Sequence, residues 1–129
     1  MNELRRFSRS VRFALQGIVY TVKTQRNMQI HAAATVIVLA ASWWLQISRF
    51  EVLLILAAIA LVWMMELVNT AIEAVVDLAS PDWHEKAKAA KDASAAAALV
   101  AALLSVLIGI AVLGPPLYRK LAVLAAGLG

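Results

Sequence analysis

Three long stretches without formal charge limit what this chain can fold into. They cover residues 27–48, counting His31 as neutral, then the apolar residues 52–65, and finally residues 93–118. As a helix, the first stretch would extend roughly 33 Å, which is enough to cross the hydrocarbon core of a bilayer. Because backbone polar groups in lipid must be satisfied within the segment, each stretch is predicted to be a membrane-spanning helix.

The composition agrees with a single membrane domain. Of the 129 residues, 63% are hydrophobic and 16% are charged, whereas a soluble domain is about half apolar and a quarter charged. The chain has no cysteine, which excludes disulfides and thiolate metal sites. Its basic start is not followed within 26 residues by the apolar core and cleavage site of a secretory signal. We therefore predict an all-α integral membrane protein and expect no nucleic-acid partner.

Residues 4–26 precede the spans and have the period of an amphipathic helix. An apolar stripe holds Leu4, Phe7, Val11, Leu15, Ile18 and Val22, and a basic flank holds Arg5, Arg9, Arg12 and Lys23. A helix of this kind suits the headgroup region of an anionic leaflet. A helix packed within a bundle has the same pattern, but the spans that follow favour the membrane surface.

The predicted order is the surface helix at 4–26, spans at 29–48, 52–77 and 93–114, a polar loop at 78–92 and an unassigned tail at 115–129. Ser80-Pro81-Asp82 indicates a turn within the loop, and Pro115-Pro116 is expected to end the third span. The arm and the loop lie on one side of the membrane and carry nine of the twelve Lys and Arg residues. By the positive-inside rule, that side faces the cytoplasm.

The second predicted helix carries a polar stripe at its cytoplasmic end. At about 100° per residue, its four polar positions share an arc of about 80°: Glu66, Asn69, Glu73 and Asp77. Carboxylates that follow so long an apolar run are costly near lipid, which makes a functional site the default hypothesis. The alternative is that the stripe only marks where the helix enters water.

Two carboxylates two turns apart, with an amide between them, can act as a general base and a ligand for a divalent cation. Lys91 and the arginines of the arm would supply positive charge for phosphate groups. No Walker-type or G-x-G-x-x-G loop occurs, which excludes the known soluble kinase folds. From these residues, an interfacial enzyme that uses a divalent cation and a small transporter with a membrane carboxylate remain open.

The sequence from Glu66 to Asp77, E-L-V-N-T-A-I-E-A-V-V-D, followed by His84 and by Ala90-Lys91-Asp92, resembles the signature of the prokaryotic diacylglycerol kinase family. The resemblance covers roughly residues 5–112. It implies a three-span enzyme of the bacterial inner membrane that phosphorylates a lipid hydroxyl with MgATP. It also implies a homotrimer with active sites shared between subunits. G-I-V-Y at 17–20 and R-N-M-Q-I-H at 26–31 are similar to the Gram-positive branch, whose members act mainly as undecaprenol kinases.

The resemblance also implies roles for individual residues. Glu66 would be the general base for the lipid hydroxyl, Asn69 would orient that carboxylate or the substrate, and Glu73 would hold Mg²⁺. The implied nucleotide-binding positions are Arg6, Phe13, Gln25, Glu73, His84, Lys91 and Asp92. The implied lipid contacts are Asn27, His31 and Glu66, although His31 is as well explained as an interhelical histidine. Trp63 and Thr70 are expected to be structural, with Trp63 packing or facing lipid and Thr70 bonding its own backbone.

Gln25 departs from the family pattern, which has a metal-binding Glu at this position. An amide keeps an oxygen ligand but loses the negative charge, so the affinity for Mg²⁺ is expected to fall. The chain would then be a weakened enzyme, a variant with a compensating ligand, or, if Gln25 is disabling, a silent assembly protein. The sequence leaves open whether undecaprenol or diacylglycerol is the preferred lipid.

Overall fold

A computed structural model describes residues 2–127 of this chain as four helices. They are α1 (Glu3–Thr24), α2 (Arg26–Leu45), α3 (Arg49–Ala79) and α4 (Glu85–Gly127). By length and composition, α2, α3 and α4 can each cross a membrane. Within residues 2–127, all regular structure is helical, which confirms the all-α prediction with three apolar spans. The placement of α1 on the membrane surface stays a prediction.

The turns between the first three helices are very short. Gln25 alone separates α1 from α2, in an extended conformation with φ −106° and ψ 115°. At the far end of α2, Gln46 adopts the left-handed conformation with φ 54°, and α3 begins three residues later. Ser48 and Glu51 form a capping box at that start, which satisfies two backbone donors reciprocally. These turns make α2 and α3 antiparallel neighbours.

The interior is a seam between the spans, formed above all where α3 packs against α4. Its fully buried apolar side chains are few: Met28, Ile55, Ala58, Val62, Ala101 and Val112. Most large apolar side chains of α2, α3 and α4 instead face outward. An apolar exterior of this kind on long helices is what a lipid solvent requires.

The polar connection between the second and third spans is shorter than the sequence suggests. We predicted a loop at 78–92, but α3 continues to Ala79 and α4 begins at Glu85, so the chain is not helical only at 80–84. Residues 85–92 are rich in Ala and Lys, which favour helix as strongly as apolar residues do. The change from apolar to polar residues at this point reflects a change of surroundings and does not end the helix.

The third spanning helix does not end at Pro115-Pro116, contrary to the prediction. Both prolines lie inside α4, which continues to Gly127, so the unassigned tail is helical up to that residue, and 128–129 lie outside the described residues. Gly114 relieves part of the usual clash, because it offers no Cβ to the ring of Pro115. Beyond the prolines, Lys120 Nζ donates to the backbone O of Trp44 at 2.7 Å and lies 4.4 Å from its ring centroid. This contact ties the end of α4 to the end of α2.

Candidate active site

The polar stripe of α3 faces a cavity between α2, α3 and α4. The cavity measures about 280 Å³, and its polar lining consists of Asn27, His31, Glu66, Asn69 and Glu73. Small side chains of α4 close the other wall. Helical spacing explains the arrangement, since positions three, four and seven apart share one face. The structure therefore brings together, from two helices, the three candidate lipid contacts and two further residues of the predicted stripe.

Glu66 is among the most completely buried side chains of the chain, with 2% of its surface exposed. Asn69 is also buried, whereas Glu73, one turn further along, is half-buried. Thr70 donates its hydroxyl proton to the backbone O of Glu66 at 2.8 Å, which agrees with the structural role predicted for it. The stripe therefore runs from a buried carboxylate to a more accessible one, as expected if lipid and nucleotide approach from different sides.

Ser94 belongs to the site, and the sequence reasoning missed it. Its Oγ donates to Oδ1 of Asn69 at 2.7 Å or to the backbone O of Lys91 at 2.9 Å. The Nδ2 of Asn69 in turn lies 3.5 Å from Oε1 of Glu73. The signal available in the sequence was a single hydroxyl in an Ala-rich run, three residues after the charged Lys91. Ser94 fixes the amide between the two carboxylates.

Two ion pairs lie near the end of α3 and the start of α4, beside the connection at 80–84. Lys91 Nζ donates to Oδ1 of Asp77 at 2.9 Å and so joins the two helices, while Lys88 pairs with Asp92 along α4. The hydrogen bond that Lys91 donates to Asp77, together with the negative charge of that carboxylate, raises the pKa of the Lys91 ammonium. Lys91 therefore stays a cation at this end of the helix pair, outside the lining of the polar cavity.

His84 lies in the connection before α4. Its Nδ1 accepts a hydrogen bond from the backbone N–H of Lys86 at 3.1 Å, and its side chain is exposed. It thereby satisfies one of the unpaired donors at the start of α4. His84 and Lys91 therefore share this end of the α3–α4 pair, but His84 does not line the polar cavity.

Of the seven predicted nucleotide-binding residues, Glu73 lines the cavity, whereas His84, Lys91 and Asp92 lie near the start of α4 and the other three belong to α1 or to its junction with α2. Arg6 bonds Glu3 on its own helix at 3.1 Å, and Phe13 is exposed on α1. Gln25 occupies the single-residue junction between α1 and α2, and its side chain makes no cap hydrogen bond there. None of the three belongs to the lining of the cavity formed within residues 2–127. Any part that they play in binding nucleotide would require α1 to approach the site.

The oxygen atoms of the site are of the kind that Mg²⁺ prefers, namely carboxylate and amide oxygens. In the described part of the chain, however, no group of three His, Asp or Glu side chains is arranged to hold a metal ion. Mg²⁺ in phosphoryl-transfer sites is held by one or two carboxylates together with substrate phosphates. Glu73, which is half-buried, fits that pattern as a single carboxylate ligand.

A second, apolar cavity of about 460 Å³ lies between the same three helices, further from the connection at 80–84. His31 lines both cavities, so the two spaces meet at its side chain. Three polar side chains of the apolar wall already have hydrogen-bond partners: Trp63 donates to Thr35, Thr35 donates to the backbone O of His31, and Ser105 Oγ donates to the backbone O of Ala58 at 3.0 Å. This wall is suited to hydrocarbon.

Comparison with known proteins identifies relatives over most of the chain. The sequence model of the prokaryotic diacylglycerol kinase family matches residues 12–113 of this chain. Undecaprenol kinase of Bacillus subtilis is 44% identical over 116 residues, which are 90% of this chain and 94% of the relative. Diacylglycerol kinase of Synechocystis is 42% identical over 84% of this chain and 62% of its own length. Diacylglycerol kinase of Escherichia coli K12 is 34% identical over 57% of this chain and 61% of its own length.

Proposed function

Because this chain belongs to the prokaryotic diacylglycerol kinase family, it is a membrane lipid kinase, and we propose that the cavity around Glu66 is where it phosphorylates a lipid alcohol. ATP is the phosphoryl donor that a kinase of this family implies. The observation that carries the proposal is the buried Glu66 carboxylate in the polar cavity, which shares the lining residue His31 with the apolar cavity. The transporter interpretation finds no support among the relatives.

Undecaprenol is the acceptor that we favour. The relative named undecaprenol kinase matches this chain along nearly the whole of both sequences. Diacylglycerol is the second candidate, supported by the 42% identity to the Synechocystis diacylglycerol kinase. Both lipids present one primary hydroxyl at the membrane interface, so the same carboxylate would serve either.

In the proposed reaction, the hydroxyl oxygen of the lipid attacks the γ-phosphorus of ATP. A new O–P bond forms, the bond between the γ-phosphorus and the bridging oxygen breaks, and ADP leaves with that electron pair. Glu66 accepts the hydroxyl proton as general base. Ser94 holds Asn69 by a hydrogen bond. In the proposed reaction Asn69 orients Glu66 and, through its own amide nitrogen, keeps Glu73 in place.

The phosphates of the nucleotide would lie toward the charged end of the site. Glu73 would hold Mg²⁺, with Gln25 as a weaker oxygen ligand, and the ion would neutralise phosphate charge. Lys91 offers a cation near the start of α4, and Asp92 follows it on that helix. The remaining proposed nucleotide contacts are Arg6, Phe13 and His84. For the arm residues to contribute, α1 would close over ATP by rotating about the extended Gln25.

We further propose that the protein is a homotrimer in the bacterial inner membrane with its active site on the cytoplasmic side. The distribution of Lys and Arg supports the orientation. The largely outward-facing apolar surface of the spans leaves room for contacts with other copies as well as with lipid. Native mass spectrometry in detergent tests the trimer, because a single chain has a mass of 13.9 kDa.

Glu66→Gln tests the proposed mechanism. The variant keeps the shape of the side chain but removes the base, so we expect kcat to fall by about 10²- to 10⁴-fold. Purified protein in mixed micelles would be given Mg²⁺, γ-labelled ATP and either undecaprenol or diacylglycerol, separately and in competition. Glu51→Gln is the matched control, since Gln also completes a capping box and Glu51 lies at the far end of α3.

The outcomes separate the parts of the proposal. Stronger labelling of undecaprenol supports the favoured acceptor, and stronger labelling of diacylglycerol replaces it with the second candidate. Full turnover by Glu66→Gln would rule out Glu66 as the base. Labelling of neither lipid by the wild-type protein at any Mg²⁺ concentration would refute the proposed function and return attention to Gln25.

A further inference from the structure

A hydrogen-bonded bridge joins α2 to α3 one turn beyond the polar cavity. The indole Nε1–H of Trp63 donates to Oγ1 of Thr35 at 3.0 Å, and that hydroxyl donates to the backbone O of His31 at 2.7 Å. A Thr hydroxyl has one proton, so donation to His31 leaves its lone pairs to accept from Trp63. We call this chain of two bonds the Trp63–Thr35 bridge. Neither residue was assigned to the site from the sequence.

The bridge fixes α2 near the site, whereas the contact of Lys120 with Trp44 ties the far end of α2 to α4. Within residues 2–127, Trp63 to Thr35 is the only side-chain hydrogen bond between α2 and α3. By contrast, α3 packs along much of its length against α4 and is bonded to it near both cavities. In lipid, the hydrophobic effect does not drive one apolar helix onto another, so packing and interhelical hydrogen bonds set the register.

The Trp63–Thr35 bridge lies close to His31 and Glu66, two of the residues proposed to contact the lipid. Thr35 is one helical turn from His31 on α2, and Trp63 is three residues before Glu66 on α3. Thr35, Trp63 and His31 all line the apolar cavity, and His31 also lines the polar one. If the hydroxyl of a lipid reached Glu66, the part of the lipid that joins its headgroup to its hydrocarbon chain would therefore lie beside the bridge.

We propose that Trp63 and Thr35 are positioning residues for the acceptor lipid, because their bridge holds His31 in register with Glu66. The inference rests on the proposed function of the cavity. On the nucleotide side, Glu73 belongs to α3 and Lys91 to α4, and these two helices are held together without α2. Loss of the bridge should therefore weaken use of the lipid and leave use of ATP intact.

Two variants break the bridge in different ways. Thr35→Val replaces the hydroxyl by a methyl group of similar size and leaves the indole N–H unpaired. Trp63→Phe removes the donor but leaves Thr35 bonded to His31. For each, we expect kcat/KM for the lipid alcohol to fall by about 5- to 30-fold, with KM for ATP changed by less than about twofold. The double variant should lose no more than Thr35→Val alone, because both changes remove one interaction.

Conservative and matched variants separate positioning from general damage. Thr35→Ser keeps the hydroxyl and should restore most of the lipid kinetics. Ser42→Ala is the matched control, because Ser42 is a buried hydroxyl on the same helix that donates only to its own backbone, to Val38 O at 2.8 Å. We expect wild-type kinetics for Ser42→Ala with both substrates.

Several results would overturn the inference. They are unchanged lipid kinetics in Thr35→Val and Trp63→Phe, equal losses for lipid and ATP, or an equal loss in Ser42→Ala. A wild-type protein that phosphorylates no lipid would instead defeat the proposed function. The bridge itself is then tested by the ¹⁵N–¹H signals of the four tryptophan indoles. Thr35→Val should shift the signal that Trp63→Phe removes, and an unmoved signal refutes the bridge.

Discussion

Ser94→Ala is the substitution that best tests whether the amide between the two carboxylates must be held in place. The change deletes one oxygen atom, and with it the hydrogen bond from Ser94 Oγ to Asn69 Oδ1 at 2.7 Å. Both residues are buried, so water cannot readily replace the lost partner. Asn69 would then be free to rotate away from Glu66 and Glu73.

The structure allows the size of the effect to be worked out. A buried acceptor left without a donor costs about 1–3 kcal/mol. At about 1.36 kcal/mol for each factor of ten in rate, this corresponds to a fall in kcat/KM of roughly 5- to 150-fold if the cost is felt in the transition state. Ala is a better helix former than Ser by up to about 0.5 kcal/mol, which offsets part of any loss in stability. We therefore expect a clear kinetic defect with a small change in melting temperature.

The assay is initial-rate lipid phosphorylation in mixed micelles, with a thermal melt of the same preparation. Ser42→Ala is the matched control, because Ser42 is also a buried hydroxyl but donates to its own helix, at Val38 O, and lines neither cavity. We expect near-wild-type rates for Ser42→Ala. If Ser94→Ala has the wild-type rate, or if both variants lose the same activity, then Ser94 does not act by holding Asn69.

Two further substitutions test other parts of the chain. Gln25→Glu restores a negative ligand and should lower the Mg²⁺ concentration for half-maximal activity about tenfold. Gln16→Glu, which makes the same change within α1, should leave that concentration unchanged. Equal half-saturation of wild type and Gln25→Glu would contradict the metal role. Replacing Pro115 and Pro116 together by Ala should raise the melting temperature in detergent, because each proline inside a helix costs up to about 3 kcal/mol. A melting temperature that stays the same or falls would show that the prolines relieve a strain that alanine does not.

The sequence was sufficient for those features that depend on one helix at a time. The uncharged runs predicted three spans, and the spacing of Glu66, Asn69 and Glu73 predicted that they share a face. Both inferences need only the helical period and the cost of charge in lipid. The functions assigned to these residues stay predictions, since they depend on bound substrates.

The features that the sequence did not predict depend on how two helices meet. Ser94 reaches Asn69, and Trp63 reaches Thr35, because α4 and α2 pack against α3 in one register. Residues 25 or 28 positions apart carry no periodic signal that would join them. The extent of α4 also differs from the prediction at both ends. A change in polarity does not begin or end a helix, and Pro115-Pro116 does not end α4 because the residues that follow favour helix.

The prolines inside α4 also have a mechanical consequence. An unbroken helix is a stiff rod, and about 26 residues, or roughly 39 Å, separate Ser94 from Lys120 along this one. Pro115 and Pro116 each lack the N–H that would brace the preceding turn, so the rod bends most easily there. We expect movement of the far end, which is tethered to Trp44, to bend α4 at these prolines before it displaces Ser94. The alignment of the site would then change little when the opposite end of the helices moves.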